Sequence, residues 1–121
     1  MKKIRSLIWL FAFLASGVVH ALEMTEDFVK ACSQPQFVDV LQINPVYTSC
    51  RSYMEAALDM VTIYSVAYPG IKAICIPAKT GDLELFLAMV LNYIKGHSDV
   101  QNGPAALAIF AALQTNYRCP R

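Results

Sequence analysis

Polar residues recur at Thr48, Arg51, Ser52, Glu55, Asp59 and Thr62, three or four positions apart. Between them Cys50, Tyr53, Met54, Ala57, Leu58 and Val61 form an opposite, mostly apolar face, with Val46, Tyr64 and Ser65 at its ends. That period predicts a long amphipathic helix over 45–68 with one solvent stripe. Asn44 serves as its N-cap and Pro45 as its first residue, and Pro69-Gly70 ends it. Arg51 and Glu55 are four apart and are expected to pair along the helix. A third element opens on Thr80 or Asp82 and runs to Lys95. Only Glu84, Asn92 and Lys95 interrupt its apolar run, and Gly96 is read as its C′ residue. The last helix starts at Asn102-Gly103-Pro104 and reaches Thr115, with no polar residue between 105 and 113. Upstream, Thr25 is read as the N-cap of a short helix with Glu26 and Asp27 in its first turn, Phe28, Ala31 and Cys32 on one face, and Pro35 as its stop. Residues 36–43, with Phe37, Val38, Val40, Leu41 and Ile43, fit either a second short helix or an extended connector. The fold class is all-α: a small disulfide-stapled bundle of four to five helices.

The N-terminus changes the domain count. Lys2, Lys3 and Arg5 precede an apolar run of 13 residues, 7–19, and Val19 and Ala21 sit three and one places before a possible cut. This is the layout of a secretory signal peptide cleaved after Ala21, and a run this short does not span a bilayer. The expected organisation is a signal peptide over 1–21 and one domain over 22–121, with no membrane association after cleavage. The mature part holds seven Lys and Arg against nine Asp and Glu, a net charge of −2. The basic residues are scattered, so a nucleic-acid partner is not expected.

All four cysteines, Cys32, Cys50, Cys75 and Cys119, lie in that mature part, and an even count in a small exported chain reads as two disulfides. Three pairings are possible. Cys32–Cys50 with Cys75–Cys119 is the favoured one, although spacing alone does not select it. There is no Cys-x-x-Cys pair and His97 is the only mature histidine, so no zinc site is expected. The stretch from Cys75 to Cys119 then reads as a helical hairpin stapled at its base. Two of its helices are apolar nearly all round. Either they fill a dense core, or one of them gives a surface to a partner, most simply a twofold copy of the chain.

Catalytic chemistry is not expected. His97 stands beside Ser98 and Asp99, but sequence neighbours on a short loop rarely meet as a triad. Glu55 and Asp59 share a face with Arg51 and read as a solvated stripe rather than an acid/base pair. There is no glycine-rich phosphate loop and no calcium loop, so no cofactor is implied. What remains is binding. The loop from Gly96 to Gly103 is polar, framed by glycines and carried on the stapled hairpin, a setting in which loops often serve recognition.

A resemblance gives that loop a purpose. A cysteine in the first helix is followed by Cys50-Arg51-Ser52-Tyr53 in a long helix and then by Cys75-Ile76-Pro77. A helix ending Tyr93-Ile94-Lys95-Gly96-His97, an alanine-rich helix over 105–113 and a closing Tyr117-Arg118-Cys119-Pro120 complete the order. Across the whole mature chain this resembles the Rap/Tai-type immunity proteins of type VI secretion. Two positions depart from the family's pattern, which often has glycine at Ser52 and proline at Ser98. The resemblance implies a periplasmic, all-helical, non-enzymatic homodimer. Such a protein protects a bacterium by inhibiting a peptidoglycan amidase effector, a cysteine-nucleophile enzyme, with a protruding loop laid into the enzyme's cleft. On this reading His97, Ser98, Asp99, Val100 and Gln101 form the toxin-binding loop, with residues 72–79 as the alternative. The competing reading is a small periplasmic acid-stress chaperone. Those are also short, exported, helical and dimeric, but usually have one disulfide and a more strongly charged chain.

Overall fold

The computed structural model describes residues 24–68, 74–77 and 82–120. The signal-peptide reading of 1–21, the Pro69-Gly70 stop and the Thr80 cap fall outside these residues. Four α-helices carry the described fold: α1 (Thr25–Cys32), α2 (Pro45–Ala67), α3 (Leu83–Gly96) and α4 (Ala105–Asn116). A 3₁₀ turn (Ser98–Val100) stands between α3 and α4. The all-helical class therefore holds, with one addition. Residues 36–43 do not form a helix. They form an antiparallel hairpin of β1 (Phe37–Asp39) and β2 (Gln42–Ile43), with Phe37 opposite Ile43 and Asp39 opposite Gln42.

The start of α2 follows its sequence. Asn44 is extended, its side-chain oxygen accepts from the Val46 N–H at 3.0 Å, and Pro45 occupies a position that has no hydrogen bond to lose. Asn44 is nearly fully buried, and its other groups are also engaged. Its Nδ2 donates to the Pro35 carbonyl at 2.9 Å and its backbone N–H donates to the Gln36 carbonyl at 2.8 Å. One residue thus caps α2 and closes the base of the hairpin. Asp82 caps α3 in the same manner, accepting from the Glu84 N–H at 3.0 Å.

Three local readings are corrected. Thr25 is not the N-cap of α1; Met24 holds that position and Thr25 is the first helical residue. Thr25 is 1% exposed, and both its N–H and its hydroxyl donate to the Gly103 carbonyl, each at 2.9 Å. A partner 78 residues away has outcompeted the local cap. Gly96 is the last residue of α3 rather than a left-handed C′ glycine, and none of the described glycines has positive φ. The helix ends instead with the His97 N–H turning back to the Ile94 carbonyl at 3.2 Å. Arg51 does not pair with Glu55. It reaches across to Glu84 on α3, with Nε 3.3 Å from Oε1.

α2 and α4 each contact every other helix, and the core lies where they meet α1 and α3. Phe28 of α1, Met54 of α2, Val90 of α3 and Ile109 and Leu113 of α4 are its largest fully buried apolar side chains. Phe28 packs obliquely on Tyr53, with ring centroids 5.7 Å apart. Alanines at 105, 108 and 112 are buried along one side of α4, where small residues let neighbouring backbones approach.

The two disulfides join Cys32 to Cys50, with Cα atoms 5.2 Å apart, and Cys75 to Cys119, with Cα atoms 4.9 Å apart. This is the favoured pairing. The first links the end of α1 to α2 and closes the segment that contains the hairpin. The second ties residues 74–77 to the chain beyond α4, where the Cys75 N–H also donates to the Tyr117 carbonyl at 2.7 Å. Tyr117 in turn packs on Phe86 of α3, with centroids 5.5 Å apart. The α3–α4 pair is thus a helical hairpin held at its open end.

The two nearly all-apolar helices are not buried all round. Leu85 on α3 and Leu107 and Phe110 on α4 remain exposed, as do Met60, Ile63 and Tyr64 on α2. The core therefore does not absorb the full apolar content of the chain. No helix among the described residues is long and apolar enough to cross a membrane.

Candidate functional site

The connection between α3 and α4 is short and braced from within. His97 leaves the end of α3 in an extended conformation, and Ser98, Asp99 and Val100 make one 3₁₀ turn. The Val100 N–H donates to the His97 carbonyl at 3.3 Å and the Gln101 N–H to the Ser98 carbonyl at 3.4 Å. The His97 ring stacks on Tyr93, with centroids 3.8 Å apart and planes 14° apart, and its Nδ1 lies 2.7 Å from the Tyr93 carbonyl. A carbonyl only accepts, so Nδ1 carries the proton and, in the neutral ring, Nε2 is the acceptor. Gln101 folds back to donate from Nε2 to the Ile94 carbonyl at 3.0 Å. Its amide thereby gives that carbonyl a second donor beside the His97 N–H.

These contacts divide the five candidate residues by role. Val100 is half-buried and packs on the core, so it anchors the turn. His97 and Gln101 are exposed but spend their side chains on α3. Ser98 and Asp99 remain as the exposed tip, and Asp99 supplies its only charge. The loop's far end is fixed by the Thr25–Gly103 bonds and by a bridge between Met24 and Pro104. The loop is therefore braced at both ends, by α3 on one side and by the start of α1 on the other. Of the alternative loop at 72–79, only 74–77 falls among the described residues.

At the other end of α3 lies a polar clasp that sequence spacing does not reveal. The Tyr47 hydroxyl donates to Glu84 Oε2, and Arg51 lies beside the other carboxylate oxygen. Arg51 Nε is close enough for an ion pair but makes no aligned hydrogen bond. Both side chains are over a third exposed, so the pair adds roughly 0–1 kcal/mol. The Tyr47 phenol is held above its ordinary value of 10.0. The largest cause is its hydrogen bond to Glu84, followed by burial and repulsion from that carboxylate, and Arg51 opposes the shift. The clasp needs the protonated phenol. Its stabilisation is whole below the unfolded tyrosine value and is lost as pH rises through the higher folded one. Tyr47→Phe should therefore lose less stability than the wild type as pH climbs from roughly 9 to 11. Denaturant unfolding across that window reads the effect, and parallel profiles would contradict it.

The catalytic groups weighed from sequence do not converge. Glu55 and Asp59 are exposed on α2, Asp82 is occupied as a cap, and Ser98 and Asp99 belong to the same turn as His97. Among the described residues no cluster of His, Cys, Asp or Glu could hold a metal ion.

Comparison with known proteins decides between the readings that this geometry leaves open. The family of Rap1a immunity proteins matches residues 24–119, nearly the whole described chain. The chain belongs to the Rap1a immunity protein family. Neither the curated proteins nor the solved structures yielded a match. The match spans all four cysteines, both disulfides and the α3–α4 loop. Membership supports an immunity role and a cognate effector protein as partner, and it disfavours the chaperone reading. A Rap1a immunity protein is generally not an enzyme, so what the geometry has to explain is recognition.

Proposed function

We propose that this immunity protein acts in the periplasm, where it inhibits a peptidoglycan amidase effector of type VI secretion by placing the α3–α4 loop in the enzyme's cleft. The observation that carries the reading is the family match across residues 24–119. The signal-peptide pattern at 1–21 and two disulfides, which persist in oxidising compartments, support the location. The protein is exported as a single domain over 22–121 and works as a homodimer.

The mechanism needs no chemistry from the inhibitor. The turn at Ser98, Asp99 and Val100 fills the groove beside the enzyme's thiolate and keeps the peptide stem out. His97 and Gln101 hold the turn in shape through α3. A loop already ordered loses little freedom on binding, so more of the contact energy appears as affinity.

Replacing residues 98–101 with a Gly-Ser linker should leave the fold intact, since only Val100 touches the core, while inhibition of the cognate amidase falls by at least about a hundredfold, the loss of a typical binding hot spot. A peptidoglycan-stem cleavage assay reads this directly. Full inhibition by the replaced protein would sink the assignment of the loop and turn attention to 72–79.

A further inference from the structure

The α3–α4 turn is not held in shape by its own hydrogen bonds. Its internal N–H donors reach their acceptors only at long range: Val100 to His97 at 3.3 Å, Gln101 to Ser98 at 3.4 Å and Gly103 to Val100 at 3.5 Å. Well-formed bonds of this type centre near about 2.9–3.0 Å. The bonds that reach the loop from outside are the shorter ones. The Gln101 amide donates to the Ile94 carbonyl of α3 at 3.0 Å, and the Thr25 N–H and hydroxyl each donate to the Gly103 carbonyl at 2.9 Å. The pose of the turn is therefore imposed by the helices beside it.

The two braces are not equivalent. Gln101 lies at the surface, where water competes for its amide. Thr25 is 1% exposed, so its hydroxyl has exchanged water for the Gly103 carbonyl. Position 103 also depends on help from outside. The next residue, Pro104, has no N–H to donate, and it holds the N-cap position of α4 without a side-chain cap. The junction between loop and α4 is set instead by Thr25 and by the Met24–Pro104 bridge. The far end of α1 is itself fixed, since Cys32 is bonded to Cys50 and Phe28 packs on Tyr53. α1 thus stands as a strut between α2 and the loop. Thr25 is its first residue, where the N–H has no intrahelical partner and is free for Gly103. Any residue at 25 would supply that N–H. The second bond needs a side-chain hydroxyl.

We propose that Thr25 is a positioning residue for inhibition. It touches no amidase. Its hydroxyl, acting through the Gly103 carbonyl, sets the pose in which the Ser98–Asp99 tip is presented. This rests on the proposed function, in which that tip enters the enzyme. Without the hydroxyl the backbone bond and the fold remain, but the end of the loop swings about Gly103. Only a fraction of the molecules then presents the tip correctly, and the apparent affinity falls by that fraction.

Three substitutions and two readouts test this. Thr25→Val deletes the hydroxyl and keeps the side-chain shape, Thr25→Ala deletes it without steric load, and Thr25→Ser restores it. Against an amidase that the wild type inhibits, the inhibition constants of Thr25→Val and Thr25→Ala should rise at least about tenfold, and that of Thr25→Ser should stay within about threefold of wild type. Circular dichroism confirms that each is folded at the assay temperature. Met54→Leu, a core change on α2, also lowers stability but should inhibit like the wild type. On the free proteins, amide hydrogen exchange at Val100, Gln101 and Gly103 should quicken in the two variants without the hydroxyl and not in Thr25→Ser, while amides in the middle of α2 hold their rates. Unaltered inhibition by Thr25→Val or Thr25→Ala, no restoration by Thr25→Ser, or an equal loss in Met54→Leu would overturn the proposal. Unchanged exchange in the turn would do the same, as would failure of both hydroxyl deletions to fold, which would make Thr25 a purely structural residue. If the wild type inhibits no candidate amidase, the functional reading falls, and the exchange rates still decide whether Thr25 holds the turn.

Discussion

Replacing Cys75 and Cys119 together with alanine is expected to lower the unfolding free energy by about 4 kcal/mol, the larger of the two disulfide losses. The bridge closes a separation of 44 residues, against 18 for Cys32–Cys50. In the chain-entropy model the shorter loop is worth about 3 kcal/mol. A domain of this size commonly has only 5–15 kcal/mol in total, so either loss is severe. The Cys75 to Tyr117 bond and the Ile74–Arg118 bridge survive the substitution, as does the Phe86–Tyr117 contact. The double variant should therefore fold at low temperature with native helicity but unfold at a lower urea concentration. Urea titrations of both disulfide variants give the comparison. A greater loss from removing Cys32–Cys50 would contradict the ranking.

Phe28→Ala is expected to cost about 3–5 kcal/mol. The ring is 0% exposed and packs on Tyr53 of α2. α1 has only eight residues and buries Thr25, Phe28, Ala31 and Cys32. A helix that short is not stable alone, so it is held by its contacts and by the disulfide at its end. Phe28 is the largest of those contacts. Losing it leaves a cavity between α1, α2 and α4 that the stapled helices cannot close by moving together. Phe28→Leu, which refills much of that volume, should cost less. Urea unfolding of the two variants measures the difference, and a loss below about 1 kcal/mol for Phe28→Ala would show that the site collapses freely.

The helical frame was legible because its signals are local. Asn44-Pro45 and Asp82 cap helices where their own residue types predict, and the 3.6-residue period marks the buried face of α2 at Cys50 and Met54. Two of the three misreadings share one cause: a distant partner outcompeted a nearby one. Thr25 answers to Gly103 rather than to its own helix, and Arg51 answers to Glu84 on α3 rather than to Glu55 one turn away. Sequence spacing carries no trace of either. The hairpin was undecided for another reason. Seven residues with five apolar ones fit helix or strand equally, and the features that settle it are the Asn44 contacts to Pro35 and Gln36.

The candidate loop was visible as a polar, glycine-framed connection. Its internal order was not, since the Tyr93–His97 stack and the Gln101–Ile94 bond exist only once α3 is formed. A groove between α2 and α4 was invisible for the opposite reason. Its lining residues look like core positions in the sequence, and only the packing of α2 on α4 shows which of them stay open.

The proposed immunity works by occupation of a cell-wall amidase's cleft. The most direct measurement is a titration of the wild-type protein into candidate peptidoglycan amidase effectors of type VI secretion, following cleavage of peptidoglycan stems. Activity should fall to zero at a fixed molar ratio, and a substrate analogue held in the cleft should compete with binding. Unchanged cleavage at saturating inhibitor, or tight binding that leaves the cleft open to substrate, would contradict the account.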